Sequence, residues 1–182
     1  MRARTGLRLA GGALLVALWL GASPGRAQTA QADFDRLAAA GRPALALVET
    51  FPEIGRQHVD TGVHVAYPTD PPTGGNRWPD PVPPGAYRVV LPAEMLVHSL
   101  EHGNIVIYYD QPGTAALNQL LDWATLFRGP WDGLVIAPRP GAGTKVILTA
   151  WGHRLALDTF DAAAAAAFTE AFRGRGPENP VR

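Results

Sequence analysis

The sequence predicts an α+β fold: a single domain with one mostly antiparallel sheet and helices packed on it. Two observations lead to this prediction. Short apolar runs typical of strands are mixed with single amphipathic helices along the chain, which favours the α+β class. The 182 residues contain no visible internal repeat, and their number suits one domain with its own hydrophobic core.

The first 27 residues have the pattern of a secretory signal peptide. Three arginines at positions 2, 4 and 8 precede the uncharged apolar stretch Leu9–Leu20, and Gly25 and Ala27 supply small residues for a cleavage site. The apolar stretch spans about a dozen residues, whereas a membrane-spanning helix needs about 20. We therefore expect an exported, periplasmic or otherwise extracytoplasmic protein without a transmembrane span in its mature form. An uncleaved N-terminal anchor is the alternative.

Beyond the signal peptide we expect an N-terminal helical or linker segment at 28–45, the α+β domain at 46–174 and a frayed tail at 175–182. Asp33 suits the start of a short helix that Gly41 ends. Alternating residues over 63–67 predict a strand. Residues 68–85 contain seven prolines and three glycines, which exclude a helix and a central strand, and Trp78 favours an ordered loop there. Residues 87–91 form the next predicted strand.

The second half of the chain is easier to interpret. Pro92 and Glu94 suit the start of a helix that Gly103 ends, and the nearly continuous apolar run at 104–109 predicts a central strand. Leucines spaced as in a helix follow at 117–124. Residues 134–137 and 145–151 are predicted strands joined by a hairpin-like connection at 138–143, and 104–137 fits a parallel strand–helix–strand crossover. Asp158 suits the start of a final helix that ends at Gly174.

Two histidines four residues apart, His98 and His102, carry the clearest chemical signal. On a helix both imidazoles and the neighbouring Glu101 face one side, while Leu96 and Leu100 face the other. Imidazole is the commonest protein metal ligand, so we expect these three residues to bind a divalent transition metal. Without cysteine, copper or zinc best suits such a site.

The other histidines differ in what their surroundings suggest. His58, at a predicted strand start, is our choice for the third ligand. His64 alternates with two valines and should face solvent, and His153 fits a turn as well as a ligand role. His98-x-x-Glu101-His102 also matches an inverted zinc-protease pattern, which needs a third, distant acidic ligand, for which Glu170 is the candidate.

Three functions are therefore open. The first is a metal-binding domain with His98, His102, His58 and Glu101 as metal ligands. The second is a non-catalytic envelope interaction module without metal, which binds an envelope protein partner. The third is a metal-dependent hydrolase with Glu101 as base. Nucleic-acid binding is not expected, because removal of the signal peptide would leave 12 basic and 16 acidic residues.

Several motifs resemble the DUF3105 family: Pro71-Pro72-Thr73-Gly74-Gly75, Gly85-x-Tyr87, and above all His98-Ser99-Leu100-Glu101-His102-Gly103. The resemblance covers about His58 to Trp151 and implies an exported or membrane-anchored bacterial protein, without implying a reaction. Relatives carry a histidine where this chain has Arg77. Arginine cannot ligate a metal, so if that histidine is a ligand in the relatives, the resemblance implies a weakened or metal-free site in this chain. Alternatively, Arg77 pairs with Glu94 or Glu101 and makes the pocket attractive to anions.

Overall fold

A six-stranded mixed sheet lies at the centre of the computed structural model, which describes residues 24–182. Most of the expected signal peptide lies outside these residues. Across the sheet the strands follow the order β1 (Glu49–Thr50), β6 (His153–Leu157), β5 (Val146–Ala150), β3 (Ile105–Tyr109), β4 (Leu134–Pro138), β2 (Gly85–Ala86). Three neighbouring pairs are antiparallel, and β4 is parallel to both β3 and β2. The predicted α+β class is confirmed.

In the part of the chain that the structure describes, four α-helices and one short 3₁₀ helix accompany the sheet. They are α1 (Pro24–Ala40), the 3₁₀ helix (Arg42–Leu47), α2 (Ala93–Glu101), α3 (Thr114–Leu126) and α4 (Ala162–Phe172). Within residues 24–182, no helix combines the length and the apolar character that a membrane crossing requires.

The central strand β3 has buried side chains on both faces, as its continuous apolar sequence predicts. Ile105 and Ile107 belong to the larger core, which α1, α3 and α4 complete on one face of the sheet. Val106 and Tyr108 belong to a smaller core on the other face, together with Leu96 and Leu100 of α2. Among the helices of residues 24–182, only α2, which carries the histidines, therefore packs on this side of the central strands.

The predicted segment 28–45 is helical, but its details differ from the prediction. Helix α1 begins at Pro24, so Asp33 lies inside the helix instead of at its start. Phe34 anchors it: the side chain is fully buried, and its ring lies 5.1 Å from that of Trp123 and 4.6 Å from that of Phe127. This segment is therefore part of the core.

Two predicted strands upstream of α2 are wrong. Among residues 24–182, the segment 63–67 pairs with no strand, and the backbone N–H of Val65 instead donates to the Glu94 carboxylate at 3.0 Å. Residues 87–91 do not form a strand either, since the short strand β2 ends at Ala86 and exposes Val89 and Val90 beyond it. Alternation of apolar residues predicts strands only where a partner backbone is available.

The crossover from β3 through α3 to the parallel β4 is confirmed, but the predicted hairpin at 138–143 is wrong. Strand β3 lies between β4 and β5, and the actual hairpin joins β5 to β6, a strand that the sequence pattern does not predict. Helix α4 starts later than predicted. Asp161, not Asp158, caps it by accepting the N–H groups of Ala163 and Ala164 at 2.9 and 3.0 Å.

Residues 175–182 were expected to fray, but they return across the end of α2. The N–H of Gly174 donates to the Gly103 carbonyl at 2.8 Å, and the N–H of Glu178 donates to the Glu101 carbonyl at 3.3 Å. Arg182 then pairs with Glu170 at 2.6 Å. Gly176 permits this close approach, because a Cβ there would lie 2.1 Å from the Glu101 carbonyl oxygen. The docked tail brings a carboxylate to the histidines.

Candidate functional site

Helix α2 has the apolar face and the polar face that the sequence predicts, and these faces determine where the histidines point. Leu96 and Leu100 pack against the sheet, so His98 and Glu101 point away from it. That second face is not solvated, however. His98 is 4% exposed and Glu101 is 3% exposed, because the proline-rich loop and the C-terminal tail cover them.

The loop is bound to the helix through two side chains of α2. The hydroxyl of Ser99 donates to the Val82 carbonyl at 3.0 Å and accepts the Val82 N–H at 2.9 Å. Nδ1 of His98 lies 2.8 Å from the carbonyl oxygen of Trp78. A carbonyl only accepts, so this contact assigns the proton to Nδ1 and leaves the lone pair on Nε2. The same arrangement orients metal-binding histidines in proteins.

His98, His102 and Glu178 form one cluster of potential metal ligands. Nε2 of His102 lies 3.1 Å from Oε2 of Glu178, and Nε2 of His98 lies 3.9 Å from the same oxygen. One donor atom from each residue lies within 4.8 Å of the others. The cluster combines two residues that the sequence predicts with a carboxylate that it does not.

His58, His98 and Glu101 form a second cluster, whose potential ligand atoms also lie within 4.8 Å of one another. His58 reaches it because its segment runs beside Arg77: the N–H of Val59 donates to the Arg77 carbonyl at 2.8 Å. The ring centroids of His58 and His98 are 5.0 Å apart, and those of His98 and His102 are 4.7 Å apart. His98 is common to both clusters.

Arg77 lies beside this site and forms a buried ion pair with Glu101. The sequence suggests Glu94 or Glu101 as the partner of Arg77, and in the structure the partner is Glu101. Glu94 instead accepts the N–H of Val65 and faces Nδ1 of His64 at 3.1 Å. Arg77 is 5% exposed, and its Nε and Nη1 atoms have no hydrogen-bond partner among the described residues. A cation and its counter-ion therefore occupy the wall of the site.

Burial controls the protonation of the site. It lowers the pKa of His98 to about 4, against the opposing hydrogen bond to the Trp78 carbonyl. Burial also lowers the pKa of His102, although the nearby Glu178 carboxylate favours its charged form. For Glu101, burial raises the pKa despite the neighbouring guanidinium of Arg77. The imidazoles of His98 and His102 are thus neutral at pH 7, which is the form that binds metals.

The metal-free protein should lose stability as the pH falls from about 6.5 to about 4. In this window His98 binds a proton in the unfolded chain but not in the folded one, so acid favours unfolding. The lowered pKa of His102 likewise makes the folded protein less stable as the pH falls. The raised pKa of Glu101 has the opposite effect on stability. Urea unfolding at several pH values measures the slope of the free energy of unfolding against pH. His98→Asn, which keeps an N–H donor for Trp78, should flatten it; an unchanged slope would contradict the assignment.

The remaining sequence candidates lie outside the two clusters. His64 is exposed, as predicted, with 86% of its side chain accessible. His153 stacks on Phe172 with ring centroids 4.3 Å apart. Glu170 pairs with Arg173 and Arg182, so it does not supply the distant acidic ligand that the protease pattern requires.

Neither Glu178 nor Trp131 is predicted from the sequence as a residue of this site. The Trp131 ring packs against His102 with centroids 4.2 Å apart. Both residues lie in irregular segments, where no periodicity relates a side chain to α2. The sequence contains one indirect indication that the tail lies near α2: the glycines at 174 and 176 allow the chain to pass close to Gly103.

Comparison with known proteins identifies a family but not an activity. Residues 58–182 match the family described as "Protein of unknown function (DUF3105)", and this region contains all the residues of both clusters. The sequence matches no curated protein, and the structure matches no solved structure. Because the match covers most of the chain, the protein belongs to the DUF3105 family.

Proposed function

We propose that this protein is an exported domain that binds a divalent transition metal through His98, His102 and Glu178, with His58 as an additional ligand. The observation that carries the proposal is the convergence of two His–carboxylate clusters on the buried imidazole of His98. Three separate segments, at 58, 98–102 and 178, supply the donor atoms. Such convergence is not needed to stabilise one helix.

The distances suit a metal after small movements. Bonds of about 2.0 Å to a tetrahedral zinc ion place its ligand atoms about 3.3 Å apart. The His102–Glu178 pair already lies at 3.1 Å, and the His98–Glu178 pair lies at 3.9 Å. Closing that second gap needs a movement of less than about 1 Å. Both rings are held near these positions by their neighbours, which supports a preformed site.

Glu178 replaces Glu101 as the carboxylate ligand that we favour. Glu101 is engaged by Arg77, and the guanidinium would repel a metal placed on that carboxylate. Glu178 is half-exposed and has no arginine or lysine within ion-pair distance among residues 24–182. The same pairing disfavours a hydrolase, because Glu101 is then not free to act as a base.

Calorimetric titration of the metal-free protein with zinc and copper(II) tests the proposal. We expect saturable binding and a gain in stability of about 2.7 kcal/mol when the free metal reaches 100 times its dissociation constant. Absence of both effects would overturn the proposal and favour a non-catalytic interaction module. Fractionation of cells, with N-terminal sequencing of the mature chain, tests the proposed export.

The variant Glu178→Gln tests whether Glu178, and not Glu101, is the carboxylate that binds the metal. The change removes one anionic ligand but keeps the backbone hydrogen bonds that dock the tail, so we expect metal affinity to fall by about tenfold or more. Glu53→Gln, at an exposed position outside both clusters, is the matched control and should have no effect. Equal affinities of the two variants, measured by the same titration, would show that Glu178 is not a ligand.

A further inference from the structure

A cleft of about 650 Å³ lies between α1, α4 and the C-terminal tail, away from the histidines. Four arginines line it: Arg42 from the 3₁₀ helix, Arg173 from the end of α4, and Arg175 and Arg182 from the tail. Residues 24–182 carry 13 basic and 16 acidic side chains, so nearly a third of the basic groups converge on one cleft in an otherwise acidic chain.

Two of these arginines have structural partners. Arg173 pairs with Asp132 at 2.8 Å and lies over the Phe127 ring at 4.5 Å. Glu170 accepts two hydrogen bonds from Arg182, at 2.6 and 3.2 Å. These contacts fix the tail and hold one wall of the cleft in place.

The other two arginines are different. Within residues 24–182, neither Arg42 nor Arg175 lies within ion-pair distance of a carboxylate, although both line the cleft. Asp35, the remaining acid of the lining, accepts a hydrogen bond from Gln31 at 2.8 Å. Two guanidinium groups are therefore available to a ligand. Guanidinium groups favour carboxylate and phosphate oxygens, which they can bind in pairs.

Four alanines of the two helices, Ala38, Ala39, Ala167 and Ala171, also line the cleft, together with Gln31 and Leu45. They leave room for a carbon skeleton beside the charged groups. We propose that the cleft binds a small organic dianion, a phosphate monoester or a dicarboxylate, with its anionic groups on Arg42 and Arg175. Arg42 lies outside the residues 58–182 that the family model matches, and Arg175 lies inside them.

Calorimetric titration of the metal-free protein, after removal of any anionic chelator, tests this site independently of the histidines. The probes are inorganic phosphate, glycerol 3-phosphate and succinate, with glycerol as the neutral control. The two organic anions distinguish a phosphate from a carboxylate ligand. We expect one of them to bind with a dissociation constant of about 1 mM or lower.

The double variant Arg42→Ala/Arg175→Ala should weaken that binding by at least about tenfold, since it removes two charge-assisted contacts. Arg88→Ala/Arg128→Ala removes the same charge from positions outside the cleft and should change the affinity by less than about threefold. Equal weakening in both double variants would overturn the proposal, because it would indicate a general effect of charge. Failure of every probe to bind would overturn it as well.

Discussion

Replacement of Arg77 by methionine is expected to lower the free energy of unfolding by about 3–5 kcal/mol. The Glu101 carboxylate is 3% exposed, and Arg77 is its ion-pair partner. Without the guanidinium, the carboxylate must either remain charged in a poorly solvated position or take up a proton, and both destabilise the folded state. Urea unfolding at pH 7 without metal measures the loss.

The double variant Arg77→Met/Glu101→Met provides the control. Burying this pair already costs desolvation, and Nε and Nη1 of Arg77 lack hydrogen-bond partners, so apolar replacement of both residues should restore most of the lost stability. If the double variant is as unstable as Arg77→Met, an uncompensated charge on Glu101 is not the cause. The single variant should also gain more stability from zinc than the unaltered protein, since the repulsion by Arg77 is gone.

The sequence predicts best the features that depend on local pattern and on burial. The start of α2 near Pro92, its end before Gly103 and the central strand β3 follow from proline, glycine and a continuous apolar run. The two faces of α2 follow from helical spacing. Residues 63–67 show the limit of this approach: their alternation is typical of a strand, but the carboxylate of Glu94 takes the backbone N–H of Val65.

The candidate site was predictable only in part, because its components come from three distant segments. Helical spacing brings His98 and His102 together, and the fold places the ring of His58 5.0 Å from that of His98; its role as a ligand stays a prediction. Glu178 depends on the path of the tail across Gly103, which no periodic pattern encodes. The selection of Glu101 over Glu94 by Arg77 likewise depends on how the proline-rich loop folds over α2.

Simultaneous replacement of His98 and His102 by alanine should weaken zinc or copper(II) binding by at least about a hundredfold. Changes to residues that only orient a metal ligand already cost about 10–100-fold in affinity, and this variant removes two ligands. His98 belongs to both of the clusters found among residues 24–182, so neither of them keeps three donors after its removal. Competition against a chelator of known affinity measures the change.

Loss of affinity must be separated from loss of fold, because His98 is buried and bound to the Trp78 carbonyl. His98→Asn/His102→Asn retains polar side chains with N–H donors while removing both imidazoles, so it should fold and still fail to bind metal. His64→Ala, at an exposed position outside both clusters, should bind as the unaltered protein does. If the asparagine variant binds metal with undiminished affinity, the imidazoles of α2 are not ligands, and their burial serves only to attach the loop and the tail to the helix.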